Sequence, residues 1–290
     1  MRIGLQVPNF TFPESPASIR PLLKDIAQFV DTSGFYSLWV MDHFFQIRGV
    51  GVPEQEMLES YSTLSYFAAL TQNVKLGALV TAVIYRYPGV LLKTVTTLDV
   101  LSGGRAYLGI GAAWFEGEAL ALGIPYPSTK ERFERLEETL RLAHQAWDGD
   151  QQPYSGKHYR LERPMLSPMP ISQPHPPIMI GGGGEQKTLR LVAQYADACN
   201  LFVRLPQDVL RQKLDILKSH CEAVGRDYDS IEKTALGTID PVMTAGDIIQ
   251  IFKDAKRLGF THLIFNTPEV ENFKILNMLA KEVVPEISGL

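Results

Sequence analysis

Two short stretches of this chain combine residue types that do chemistry with positions from which they could do it. The first is Asp42-His43, a carboxylate and an imidazole at the end of the apolar run Leu38-Trp39-Val40-Met41. An imidazole there can donate a hydrogen bond to a ligand carbonyl or move a proton near neutral pH, and a histidine satisfied by a neighbour is the structural alternative. Side chains alternate faces along a strand, so only one of the pair is expected to point fully into a pocket. The second stretch is Gly181-Gly182-Gly183-Gly184, between a β-rich run and a helix expected to start near Glu185. Without Cβ atoms the backbone can approach an anion closely, and a helix N-terminus offers it free amides and the positive end of the dipole. That is the composition of a phosphate cradle, with a flexible turn as the alternative. A third stretch, Gly109-Ile110-Gly111-Ala112, removes side chains either where a flat ring could lie on backbone or where elements pack closely.

These residues can meet only if the elements that carry them converge. Short β-rich runs alternate with amphipathic helical stretches along the whole chain, the pattern of consecutive βα units and a parallel sheet. Eight strands are expected, beginning near Arg2, Tyr36, Val74, Ala106, Pro177, Ala198, Lys233 and Thr261. Helix signals agree with them: Gly34 as a left-handed stop, Pro88 opening a helix that ends at Gly103-Gly104, Ser128 and Glu131 spaced as a capping box, and Thr244 with Asp247. Eight units in 290 residues match a single α/β domain, a (β/α)8 TIM barrel of typically about 250 residues. Two long connections take up the surplus, residues 45–59 after the second strand and residues 149–176 after the fourth helix. The second carries Pro153, Pro164, Pro168, Pro170, Pro174 and Pro176, and is expected to be a surface excursion and a candidate lid.

In such a barrel ligands bind at the C-terminal ends of the strands. Those ends here bring together Asp42-His43, Thr81, Gly111-Ala112, Gly181 to Gly184, Asn200, Thr238, Asp240 and Asn266. Asp42 and Asp240 fall on distant strands, so the close carboxylate pair of a retaining glycosidase is not expected. No cluster of imidazoles or carboxylates suits a metal, and no serine sits in a nucleophile elbow. A mouth poor in nucleophiles and rich in backbone suggests that an organic cofactor carries the chemistry. With 32 acidic and 28 basic residues, the net charge of −4 draws the chain to neither nucleic acid nor an anionic membrane, leaving a small-molecule substrate as the expected partner. Two cysteines without framework spacing, no signal-peptide pattern and no membrane-length apolar run place the protein in the cytoplasm by expectation.

The residues resemble the luciferase-like flavin and coenzyme F420-dependent oxidoreductases. The match runs through Gly4-Leu5-Gln6, Trp39, Asp42-His43-Phe44, Leu76 to Thr81, Glu131-Arg132-Phe133 and Pro176 to Gly184. Its most specific part is Leu98 to Arg105 joined to Leu108 to Trp114. The resemblance implies a flavin-type ring across the barrel mouth and a cis peptide near Leu79-Val80. It implies cofactor contacts from Asp42, His43, Thr81 and Gly181 to Gly183, and a homodimer. It favours F420 as the cofactor, through likeness to the actinobacterial deazaflavin branch, with FMN as the alternative. The pocket residues on this reading also include Gly109, Ile110, Gly111, Ala112 and Asn200, and His43 is the proton carrier. Hydride transfer between F420 and a small organic substrate is the expected reaction, against an FMN-dependent monooxygenase or a non-catalytic cofactor-binding protein. Two departures stand out. Ala112 replaces the acidic glutamate of the deazaflavin-dependent glucose-6-phosphate dehydrogenases, which argues against that substrate. Phe115 stands where many relatives have Asn, leaving Glu116 as the substitute polar contact.

Overall fold

A computed structural model describes residues 1–290. The strands are β1 (Arg2–Val7), β2 (Ser37–Val40), β3 (Lys75–Ala78), β4 (Thr81–Ala82), β5 (Ala106–Gly111), β6 (Tyr154–Ser155), β7 (Arg160–Leu161), β8 (Ile178–Gly181), β9 (Ala198–Phe202), β10 (Glu232–Thr238) and β11 (His262–Asn266). Eight of them form a parallel barrel in the order β1-β2-β3-β5-β8-β9-β10-β11, and β11 pairs back onto β1. The pairs Leu76↔Ala106 and Gly77↔Tyr107 join β3 to β5, and β4 resumes that pairing through Thr81↔Ile110 beyond a cis Leu79-Val80 peptide. The helices around the barrel are α1 (Ile19–Thr32), α2 (Ser60–Leu70), α3 (Pro88–Ser102), α4 (Glu116–Ala121), α5 (Thr129–Trp147), α6 (Thr188–Tyr195), α7 (Gln207–Val224) and α8 (Ala245–Arg257). A C-terminal stretch, α9 (Lys274–Met278), a π-helical turn Leu279–Val283 and α10 (Val284–Ser288), closes the chain. No helix is long and apolar enough to cross a membrane.

Alternation of side chains along each strand divides the core in two. Residues facing outward join the helices in one large apolar cluster, while Trp39, Leu79, Tyr107, Met179, Ala198 and Ile264 fill the barrel. Trp39 fits because its neighbours are small: a Cβ on Gly77 would collide with the indole ring. Below it Ser37 Oγ receives Trp39 Nε1 (2.7 Å) and meets His262 Nε2 (2.9 Å), while His262 Nδ1 lies 3.2 Å from Glu232. The N-terminal end is thus plugged, and a ligand can enter only from the other end.

The expected punctuation holds in most places. Pro88 opens α3, Gly103 and Gly104 end it with φ of 72° and 85°, and Thr244 with Asp247 forms a complete capping box. At α5 only half of the box forms: Ser128 accepts from the Glu131 amide, while the Glu131 carboxylate turns to Arg135 instead. The helix after the glycine run begins at Thr188, three residues later than expected, because residues 185–187 form a turn. Residues 149–176, expected as a surface excursion and candidate lid, have structure of their own. The segment forms the β6–β7 hairpin and is tied to the barrel flank, where the Glu138 carboxylate holds the amides of Lys157, His158 and Tyr159 and Asp99 holds those of Ile171 and Ser172. None of it reaches the mouth of the barrel.

Candidate active site

A cavity of about 1060 Å³ opens at the C-terminal strand ends. That is large enough for a flavin-sized ring and a small second molecule, since drug-sized ligands occupy roughly 300–1,000 Å³. Of the residues singled out in the sequence, Asp42, His43, Leu79, Val80, Thr81, Gly111, Ala112, Gly181, Gly182, Gly183 and Asn200 line it. Gly109 and Ile110 do not, and Glu116 is exposed on the outer side of α4. The role of Gly109 is packing, because a Cβ there would strike the carbonyl oxygen of Ala78. Gly111 and Gly181 instead make room for Val80, whose γ-carbons would lie 3.0 Å and 2.9 Å from a Cβ at those positions. The floor is therefore the Leu79-Val80 peptide flanked by bare backbone, a flat surface suited to a ring.

His43 is held by a residue that the sequence reading passed over. Glu118, two positions beyond Glu116 on α4, is fully buried and lies 2.7 Å from His43 Nδ1. The same carboxylate accepts from Tyr85 Oη (2.7 Å), the Phe45 amide (3.0 Å) and the Phe44 amide. Burial alone would raise its pKa, yet the hydrogen bonds from His43, the Phe44 amide and Tyr85 outweigh that and hold it below the ordinary glutamate value. Trp114 and Phe115 flank the imidazole with ring centroids at 5.4 Å and 6.0 Å. His43 Nε2 has no partner in the chain, and His43 lines the cavity. Only the carboxylate-plus-aromatic spacing of Trp114-Phe115-Glu116-Gly117-Glu118 pointed that way, and a short helix after a glycine pair has no strong signature.

Asp42 does something different from its neighbour. Arg86 grips both its oxygens at 2.8 Å and 2.9 Å, Ser60 Oγ donates at 2.6 Å and the Ala82 amide at 3.2 Å. Every lone pair is engaged, so Asp42 ties β2, β4 and α2 together. Asn200 donates to Thr234 Oγ1 (2.8 Å) from the cavity wall.

The glycine loop has the properties of an anion cradle. The amides of Gly183, Gly184, Glu185, Gln186 and Lys187 donate no backbone hydrogen bond within the chain. Gly182 has φ of 113°, which favours glycine, and Lys213 Nζ fixes the loop from behind through the Gly183 carbonyl at 2.8 Å. Arg132, whose role the sequence left open, lines the same cavity. It is 8% exposed, without a carboxylate partner, and donates to the Ala112 carbonyl (3.0 Å), the Pro127 carbonyl (2.7 Å) and Thr129 Oγ1 (3.2 Å). Arg105 is the control. It too is buried without a carboxylate partner, but all five of its N–H groups are taken, by Ala68 and Thr71 at the C-terminal end of α2, by Val74 and by Ser102 at the end of α3. Arg132 uses three, and it faces the cavity.

The mouth is rimmed by Ile47 to Val50 from the loop after β2, by Trp114, and by Phe202 and Arg204 from the loop after β9. The long connection 45–59 thus reaches the site, whereas 149–176 does not. A sequence profile described as luciferase-like monooxygenase matches residues 1–264. The chain belongs to this family. Among its luciferase-like relatives, an F420-dependent glucose-6-phosphate dehydrogenase of Kineococcus radiotolerans is 29% identical, covering 91% of this chain and 92% of that one. An FMNH2-dependent dimethylsulfone monooxygenase of Pseudomonas putida is 32% identical over 55% of this chain and 42% of its own. Among solved structures, an F420-dependent secondary alcohol dehydrogenase bound to an F420–acetone adduct superposes with a TM-score of 0.83 at 19% identity, covering 99% of this chain and 98% of that one.

Proposed function

We propose that this luciferase-like protein is an oxidoreductase that transfers a hydride between coenzyme F420 and a small organic substrate, either an alcohol or carbonyl compound or an activated alkene. The observation that carries the reading is the single free base, His43 Nε2, facing a cavity floored by backbone. The residues present fit a phosphate-bearing deazaflavin. The Leu79-Val80 peptide, Gly111 and Gly181 would support the ring, and the free amides after Gly182 together with Arg132 would hold the phosphate. When bound, F420 supplies the hydride acceptor or donor. His43 Nε2 would take the hydroxyl proton of an alcohol, or return it to a carbonyl oxygen. Ile47, Val50, Trp114 and Phe202 would keep water from the mouth. F420 is preferred to FMN because the F420-dependent relative matches over nearly its whole length and the FMNH2-dependent one over 42%. Ala112 places a methyl group on the cavity wall where an acid would be needed, so glucose 6-phosphate is not carried over from that relative. On the same reading the protein works in the cytoplasm as a homodimer, with no nucleic-acid or membrane partner. Its net charge of −4 supports the last point alone, since no bulk field draws it to nucleic acid or an anionic membrane.

The test is anaerobic turnover of F420 against a panel of secondary alcohols, aldehydes and enones. Reduction or oxidation of F420, lowered about 10²–10⁴-fold by His43→Ala, is the expected result. Oxygen uptake with reduced FMN and no F420 turnover would favour the monooxygenase, and binding without turnover the non-catalytic reading.

A further inference from the structure

We infer that Glu118 is the positioning residue that decides which nitrogen of His43 acts as the base. The inference rests on the proton-transfer reading of His43 and adds to it a residue outside the cavity lining. The Glu118 carboxylate has about four acceptor positions, and four groups fill them. Oε1 receives the amides of Phe44 and Phe45, groups that can only donate. Oε2 meets Tyr85 Oη and His43 Nδ1, both at 2.7 Å. Such a donor set keeps the group ionised, in line with its lowered pKa.

An ionised carboxylate cannot donate, so the proton of neutral His43 must sit on Nδ1, and the lone pair on Nε2 faces the cavity. The grip has two points, because the amides held by Oε1 belong to the two residues directly after His43. Ring and backbone are fixed together. The negative charge also favours the imidazolium that forms when Nε2 takes a proton, as the carboxylate does in hydrolase triads. Of the other charged groups nearby, Asp42 is matched by Arg86, which leaves Glu118 as the carboxylate acting on the ring. Burial, the hydrogen bond to Glu118 and its charge raise the pKa of Tyr85, which therefore stays a donor.

Glu118→Gln separates this role from simple anchoring. The new carboxamide can keep its oxygen on the Phe44 and Phe45 amides, and its NH2 then faces His43 Nδ1. That Nδ1 becomes an acceptor, and the proton moves to Nε2, where it blocks the base. We expect ¹⁵N spectra to show neutral His43 protonated on Nδ1 in the wild type and on Nε2 in Glu118→Gln. With F420 and an alcohol, kcat should fall about 10²–10⁴-fold and KM should change less than about threefold. Glu118→Asp should recover part of the rate. A variant that folds with unchanged kcat and tautomer would overturn the inference. If Glu118→Gln does not fold, the wild-type spectrum decides alone, since a neutral His43 protonated on Nε2 contradicts it. A tautomer switch in a protein that turns over no F420 would support the role of Glu118 and sink the proposed reaction instead.

Discussion

Arg132→Gln separates recognition of a phosphate from recognition of a ring. Arg132 has five N–H donors and spends three on Ala112, Pro127 and Thr129, which leaves two at the wall of the cavity that the glycine loop also lines. A hydrogen bond from a charged donor contributes about 1.5–3 kcal/mol, more than a neutral one, so losing one such bond to a phosphate weakens binding about 10–150-fold. Deazaflavin mononucleotide and its dephosphorylated riboside share a ring and differ only in that group. Titrated by ring fluorescence, the mononucleotide should bind more tightly than the riboside to the wild type, and Arg132→Gln should erase most of the difference. Affinity for the riboside should stay within about threefold. Arg105→Gln is the matching control, because its five N–H groups are spent on Ala68, Thr71, Val74 and Ser102 and Arg105 does not line the cavity. It should lower the melting temperature and leave the ratio of the two affinities intact. A folded Arg132→Gln protein with the wild-type ratio would refute the assignment of the phosphate to this corner.

Gly109→Ala forces a methyl group onto the Ala78 carbonyl, backbone against backbone, so β3 and β5 must part. Overpacking of this kind costs about 1–3 kcal/mol, or several degrees of melting temperature in a domain of this size, and an unchanged melt would contradict the packing role. Acid should destabilise the fold through the barrel plug. Burial, opposed by Glu232, holds His262 below its ordinary 6.5, so the unfolded chain takes up that proton first and stability is lost as pH falls below about 6.5. Burial raises the Glu232 carboxyl, but the His262 hydrogen bond and charge outweigh it, so its loss begins only below about 4.5. Melting curves between about pH 7 and about pH 5 should therefore decline, and His262→Gln should flatten them; equal slopes would count against the plug.

The barrel was legible because its signals are local and repeated. Eight β-rich runs, the helix stop at Gly103 and the cap at Thr244 each report their own few residues, and they agree. The glycine run and His43 were legible for the same reason. What the sequence hid are pairings between distant segments. Glu118 meets His43 across 75 positions, and Arg86 meets Asp42 across 44. Nothing in either local sequence marks its partner. The sequence pointed to Glu116, and only the turn of α4 decides that Glu116 is exposed while Glu118, two residues on, is buried. The proline-rich segment was legible only in part: prolines forecast a surface path, and the carboxylates of Asp99 and Glu138 determine which surface it follows.

The most direct test of the cofactor assignment is equilibrium binding of F420 and of FMN to the protein, followed by ring fluorescence. F420 should bind in the micromolar range, about −8 kcal/mol, with FMN weaker. If neither ligand binds below about millimolar, some −4 kcal/mol, the cavity is not a flavin-type site and the account is wrong at its centre.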